Sequence, residues 1–349
     1  MLRKCLFVGL VLAGNLNVAA AQGERPVSLT ELRSLAEELS NTGRWGAEDR
    51  LGTLNLITPA IRQSAAALVR EGIVVSLAHD LVPGENQNAL RTGMTHDHVI
   101  DVSGPVTWGQ DTVSIFPHGY AYSHLDALSH AAFDEAFYNG YGVETLTESG
   151  SVVLGVHVMR DGIASRGVLI DLPRLEEVEY LEPRTLVTVG DLEAWEQSTG
   201  ERIGEGDVLL IRTGRWAREA AQGRWTLYCP GATLGSETPI EEVLQQCREA
   251  DEGSAGLHPS VARWLRQRGV AAVGGDGAND RYPTLVAGIS DPFHMLTIAA
   301  MGLPLFDNLD FEALARTAVE MNRQTFFFVA APLRIRGGSG SPVNPVAIF

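Results

Sequence analysis

The stretch FPHGYAYSHLDALSH, residues 116–130, holds three histidines and one aspartate between His118 and His130. Neutral imidazole and carboxylate are preferred ligands for zinc, manganese and iron. On extended backbone, side chains alternate, so His124 and Asp126 point to one face. His130 lies four residues further on and returns to the same point after a turn. The spacing can therefore hold a divalent metal on His124, Asp126 and His130. A set of hydrogen-bonded histidines near a surface is the alternative that spacing alone leaves open.

Outward from this stretch, short β-branched runs mix with helical periods. IVVSLAHDL (73–81), HVIDVSG (98–104), SVVLGVHVM (151–159), GVLIDL (167–172) and DVLLIRTG (207–214) predict strands of a mostly buried sheet. VAAVGGDG (270–277) and QTFFFVAAPL (324–333) extend it. Helices are expected in SLTELRSLAEELS, capped by Ser28, and in TPAIRQSAAALVREG from Thr58-Pro59 to Gly72. Three more are expected in VGDLEAWEQSTG, HPSVARWLRQRG and DFEALARTAVEMN. Residues 222–239 have the composition of an inserted irregular loop. No repeat, low-complexity linker or composition break divides the chain. The expectation is one α/β domain over residues 22–349, with a mixed sheet core and flanking helices.

Residues 1–21 have the layout of a secretory signal peptide. Arg3 and Lys4 form a basic start, Cys5 to Gly14 an apolar core, and Ala19 to Ala21 a cleavage site before Gln22. The apolar run is short of the roughly 20 residues that a membrane span needs. The expected location is periplasmic or secreted, with no membrane span after signal cleavage. The chain carries 27 basic and 43 acidic side chains, a net charge of −16. Such a surface repels phosphate backbones and argues against nucleic-acid partners.

Lys4 is the sole lysine, so the processed chain has no Schiff-base or lysine-base chemistry. No G-x-S-x-G elbow marks a serine hydrolase. Cys229 and Cys247 remain after processing, and in an oxidising compartment they either pair or stay as two thiols.

The central stretch resembles the signature of the cyclase family, H-x-G-T-H-x-D-x-P-x-H. That family includes bacterial kynurenine formamidase, isatin hydrolase and certain dienelactone hydrolases. Ser123-His124-Leu125-Asp126-Ala127-Leu128-Ser129-His130 follows the second half of the signature. Ser123 stands for Thr, Leu128 for Pro and Tyr122 for Gly. The first signature histidine falls on Tyr120, and His118 lies two residues earlier. This resembles a longer-chain branch that reads HGYAxxHxDA. WGAEDRLGTLNLITP, SRGVLIDL, GLHPSVARWLRQRGVAAVGGD and GSPVNPVA are similar to that branch as well.

The resemblance implies the swivelling β/β/α fold and a homodimer or homotetramer. It also implies hydrolysis of a small-molecule lactam, lactone or formamide by metal-activated water. The cofactor would be Mn or Zn, as one or two ions with Asp126 as a candidate bridge. It places His294, at the head of HMLTIAAMGLPLFDNL, and Asp307, where the family commonly has Glu, beside His124, Asp126 and His130 as metal ligands. The catalytic candidates are then His118, His124, Asp126 and His130, with His118 shuttling a proton. Trp45, Trp108 and Tyr120 are candidates to flank an aromatic substrate. His96 and His98, in a polar loop, are candidates for the pocket mouth. His79 and His157 are expected as packed or edge residues within strands, and His258 near a helix start. The alternative function is a non-catalytic or inactive periplasmic member that binds metal or ligand without turnover.

Overall fold

The computed structural model describes residues 25–84, 88, 93–228, 239–250 and 252–349. The signal segment 1–21 and Cys229 lie outside the described residues. Cys247 is buried and disulfide-bonded.

In chain order the first strands are β1 (Val74–Ser76), β2 (Thr95–Ser103), β3 (Val106–Ser114) and β4 (His124–Asp126). Next come β5 (Leu146–Thr147), β6 (Gly150–Ser151), β7 (Ile163–Asp171), β8 (Leu186–Val187) and β9 (Val208–Arg212). The remainder are β10 (Gly256–Leu257), β11 (Ala272–Gly275), β12 (Leu305–Asp307), β13 (Thr325–Ala330), β14 (Gly340–Pro342) and β15 (Val346–Ile348). A nine-stranded mixed sheet forms in the order β1-β15-β13-β7-β9-β11-β12-β4-β14. Its middle, β7-β9-β11-β12, is parallel, and every outer pairing is antiparallel. Parallel strands are covered on both faces, which explains why Val208–Arg212 and Ala272–Gly275 are buried at every position.

Helix Leu29–Leu39 begins where the sequence places it. Ser28 and Glu31 close a reciprocal capping box, so two orphan backbone donors are satisfied. Helices Val189–Thr199 and Val261–Arg268 end on Gly200 and Gly269, both in the left-handed region that suits a helix C-terminus. The helix that starts at Thr58-Pro59 stops at Ala66, short of the expected Gly72.

Two strand expectations need correction. SVVLGVHVM gives only the short β6, followed by turns and a 3-10 helix over Val156–Met159. The backbone folds so tightly at Gly155 that a Cβ there would lie 2.5 Å from the Ser151 carbonyl oxygen. HVIDVSG does form a strand, but outside the buried sheet. β2 and β3 build a separate hairpin in which all eighteen strand residues are exposed. Gly104, at φ +61°, supplies its tight turn.

Candidate metal centre

The register of the sheet builds the centre. β12 runs parallel to β11 and ends at Asp307, at the carboxyl edge where open α/β sheets bind ligands. β4 lies antiparallel to β12, which sets His124 directly opposite Asp307. The alternation along β4 carries Asp126 to the same face. On its other side β4 pairs with β14, where Gly340 faces Asp126. A Cβ on Gly340 would lie 2.6 Å from His118 Cε1, so the bare glycine makes room for that ring.

Six side chains meet here. His118 Nδ1 lies 2.9 Å from Asp126 Oδ1, and its Nε2 is 3.1 Å from Ser339 Oγ. His124 Nδ1 faces the Tyr122 carbonyl at 2.8 Å, which turns Nε2 toward Asp126 Oδ1 at 3.4 Å and Asp307 Oδ2 at 3.8 Å. His294 Nε2 lies 3.4 Å from both Asp126 Oδ2 and Asp307 Oδ2. His130 Nε2 is 3.8 Å from Asp126 Oδ2, and its ring stacks on His118 with centroids 4.1 Å apart. Two ligand groups overlap on Asp126: His118, Asp126 and His130, and His124, Asp126 and Asp307.

These residues fit a divalent metal. Asp126 is fully buried, and its Oδ2 has no hydrogen-bond partner. A buried carboxylate oxygen without a partner is costly unless a cation compensates it. The His294 and His130 imidazole nitrogens face it at 3.4 and 3.8 Å, separations suited to ligands around a common ion.

Electrostatics divide the histidines. Burial disfavours a charged His124 ring, but Asp126 and Asp307 outweigh it and raise the pKa to about 9. Burial dominates at His130 and lowers it to about 4, so that ring is neutral at pH 7. Burial opposes charge on His294 too, yet Asp126, Asp280 and Asp307 together push its pKa well up. Asp291 is raised to about 7, chiefly by burial.

Sequence reasoning missed the residues that hold the ligands in place. Asp280 Oδ2 accepts from His294 Nδ1 at 2.6 Å, the carboxylate–histidine contact that fixes a metal-binding ring and its tautomer. Asn279 Nδ2 donates to Asp307 Oδ1 at 2.5 Å. Asn308 donates through Nδ2 to the Gly119 and Tyr122 carbonyls, and buried Arg215 donates to Asn308 Oδ1 and to the Tyr120 carbonyl. Asn308 thus ties the segment carrying His118 and His124 to β12. Asn308 has a positive φ of 57°, in the left-handed region that asparagine tolerates.

A cavity of about 310 Å³ opens on the cluster. His118, Tyr120, His124, His130, Asp291, His294 and Asp307 all contribute to its lining. Of the three aromatic candidates, only Tyr120 is there. Trp45 is absent from the lining and has the Arg44 guanidinium over its ring. Trp108 stands on the exposed β2–β3 hairpin at 56% exposure. His96 and His98 are on that hairpin too, not at the cavity mouth. His79 packs edge-on against Trp216, His157 accepts from the Gly337 amide, and His258 contacts Ser260 just before a helix.

A family model described as "Putative cyclase" matches residues 75–279, more than half of the chain. The chain belongs to this cyclase family. A crystal structure of a novel cyclase is 25% identical, with a TM-score of 0.74 over 89% of this chain and 100% of the other. Isatin hydrolase A from Ralstonia solanacearum is 24% identical, with a TM-score of 0.49 over 83% of this chain and 97% of its own. Isatin hydrolase A from Labrenzia aggregata is 20% identical, with a TM-score of 0.49 over 81% of this chain and 94% of its own. No curated protein matches the sequence.

Proposed function

We propose that this protein is a metal-dependent hydrolase of a small cyclic or aryl amide or ester. The observation that carries this reading is the buried, unpartnered Asp126 Oδ2, ringed by His124, His130, His294 and Asp307 at the wall of a small-molecule-sized cavity. A divalent ion bound there, Mn or Zn, supplies Lewis acidity toward a carbonyl and lowers the pKa of water toward about 7. The substrate class comes from the resemblance of His118–His130 to the cyclase signature; the sole lysine, Lys4, lies in the signal segment and no serine elbow is present, which fits a route without a covalent enzyme intermediate.

The chain's own groups hold the ion and handle the proton. His130, kept neutral at pH 7 by burial and with its pKa lowered to about 4, fits holding the ion and not accepting a proton. Asp291, near half-protonation at pH 7 and lining the cavity, can give one to the leaving nitrogen or oxygen. His118, placed against Asp126 Oδ1, fits holding the carboxylate or the ion better than the shuttle role the sequence suggested. Tyr120 offers an aromatic wall.

The test is a turnover screen of metal-loaded protein on N-formylkynurenine, isatin and a dienelactone, repeated after chelation and after metal is restored. Chelation should abolish activity and restoration should return it. Full activity in protein shown to be metal-free would overturn the reading. Stoichiometric metal without turnover on any carbonyl substrate would favour the non-catalytic binding member.

We also propose export to the periplasm or medium, on the pattern of residues 1–21, and self-association through the β2–β3 hairpin. A two-stranded hairpin is marginal in water on its own. This one exposes Val99, Ile100, Val102, Val106, Trp108 and Val113. Strands of nine residues are about 30 Å long, enough to cover a standard interface when two copies exchange arms. Light scattering should find a dimer or tetramer, and Ile100→Glu should shift it toward monomer. A monomeric wild type would reject the association.

A further inference from the structure

The β2–β3 hairpin carries a second group of metal-competent side chains. β2 and β3 pair so that His98 stands directly opposite Asp111. His96, two residues along the same strand, shares that face. Both rings converge on one oxygen: His96 Nε2 lies 2.6 Å and His98 Nδ1 2.8 Å from Asp111 Oδ1. The three candidate ligand atoms lie within 4.8 Å of one another. The face is cleared for the rings, because Gly109 has no side chain and a Cβ there would lie 3.0 Å from His98 Cε1. None of the three residues lines the central cavity.

We infer that His96, His98 and Asp111 form a second, surface site for a borderline divalent transition metal of the zinc, nickel or copper type. Two imidazoles and one carboxylate are the donor set those ions prefer, whereas magnesium and calcium take oxygen ligands. Two histidines at i and i+2 of a strand with a cross-strand carboxylate present three donors on one side of an ion. The fourth position stays open to water. The two nitrogen–oxygen contacts have to lengthen by roughly 0.6–0.8 Å to surround an ion with bonds of about 2.0–2.2 Å. Within one chain these side chains are between 38% and 51% exposed, which leaves the rings room to turn. All three ligands come from one hairpin, so the site does not depend on the central cluster. An exposed three-ligand site exchanges its ion directly with solvent, unlike the enclosed Asp126 cluster.

The experiment is zinc stoichiometry at buffered free zinc, read by elemental analysis, on the full chain and on variants. Wild type should hold one more zinc per chain than His96→Ala/His98→Ala. That variant should keep the central metal and stay folded, because its changes touch neither the core nor the central cavity. Asp111→Asn preserves the shape of the hairpin and removes the charge, and should weaken the surface ion at least ten-fold. His124→Ala, altered in the central cluster, should retain the surface ion. Equal zinc content and affinity in wild type, the double variant and Asp111→Asn would overturn the inference.

Discussion

Asp280→Asn separates a metal centre from a cluster of buried histidines. Asp280 is fully buried and accepts three hydrogen bonds. Phe293 N reaches Oδ1 at 2.8 Å, while His294 N at 3.2 Å and His294 Nδ1 at 2.6 Å share Oδ2. Asparagine keeps the shape but has one oxygen, so its amide must oppose either the Phe293 donor or the His294 pair. Either way the imidazole loses the anionic partner that holds Nε2 toward Asp126 and Asp307. Loss of such a partner costs about 10–100-fold in metal affinity, or roughly 1.4–2.8 kcal/mol. The assay is competition for zinc or manganese against a chromophoric chelator, with wild type and variant at the same pH. Melting of both proteins without metal measures the separate cost of the unmatched amide, about 1–3 kcal/mol for a buried group. The expected result is weaker metal binding in the folded variant, with Asp280→Glu recovering part of the loss. Affinity within about two-fold of wild type would refute the orienting role, since the contact in question is the one broken.

In metal-free protein His124 titrates at about 9, and metal must displace that proton, so affinity should climb with pH until the ring is neutral and fall below it. Adding zinc at pH 7 in weak buffer should release at least one proton per chain, and no release would contradict this. Gly340→Ala places a methyl group against the His118 ring and the Leu125 carbonyl, and should lower turnover at least ten-fold while the chain still folds; unchanged kinetics would show that His118 is free to move. Mass spectrometry of protein from its native host should find an N-terminus near Gln22, and an intact Met1 in the cytosol would reject export.

The parts of the site that follow from local geometry were legible in the sequence. Alternation along a strand puts His124 and Asp126 together whatever the rest of the fold does. The partners that arrive through sheet register were not. Asp280 stands fourteen residues before His294, a separation that fixes no geometry until the chain turns back on itself. Arg215 and Asn308 meet only because β9 and β12 both border β11. The strand pattern of HVIDVSG was correct, yet its burial was not, because β-branched residues suit an exposed arm and a buried sheet equally. SVVLGVHVM has the composition of a strand, but its glycine admits a close backbone turn that composition does not reveal.

β4 lies between β12 and β14, strands drawn from the far end of the chain. Its three residues have no sheet neighbours until residues 305–307 and 340–342 have been made and folded. Contacts of such long separation form late, because the loop entropy must be met before they repay it. The centre therefore exists only when these segments have come together, and a chain cut before residue 305 presents isolated histidines, not a pocket. Once bound, an ion would act as a clasp between early and late segments, and its concentration would set how firmly they stay together.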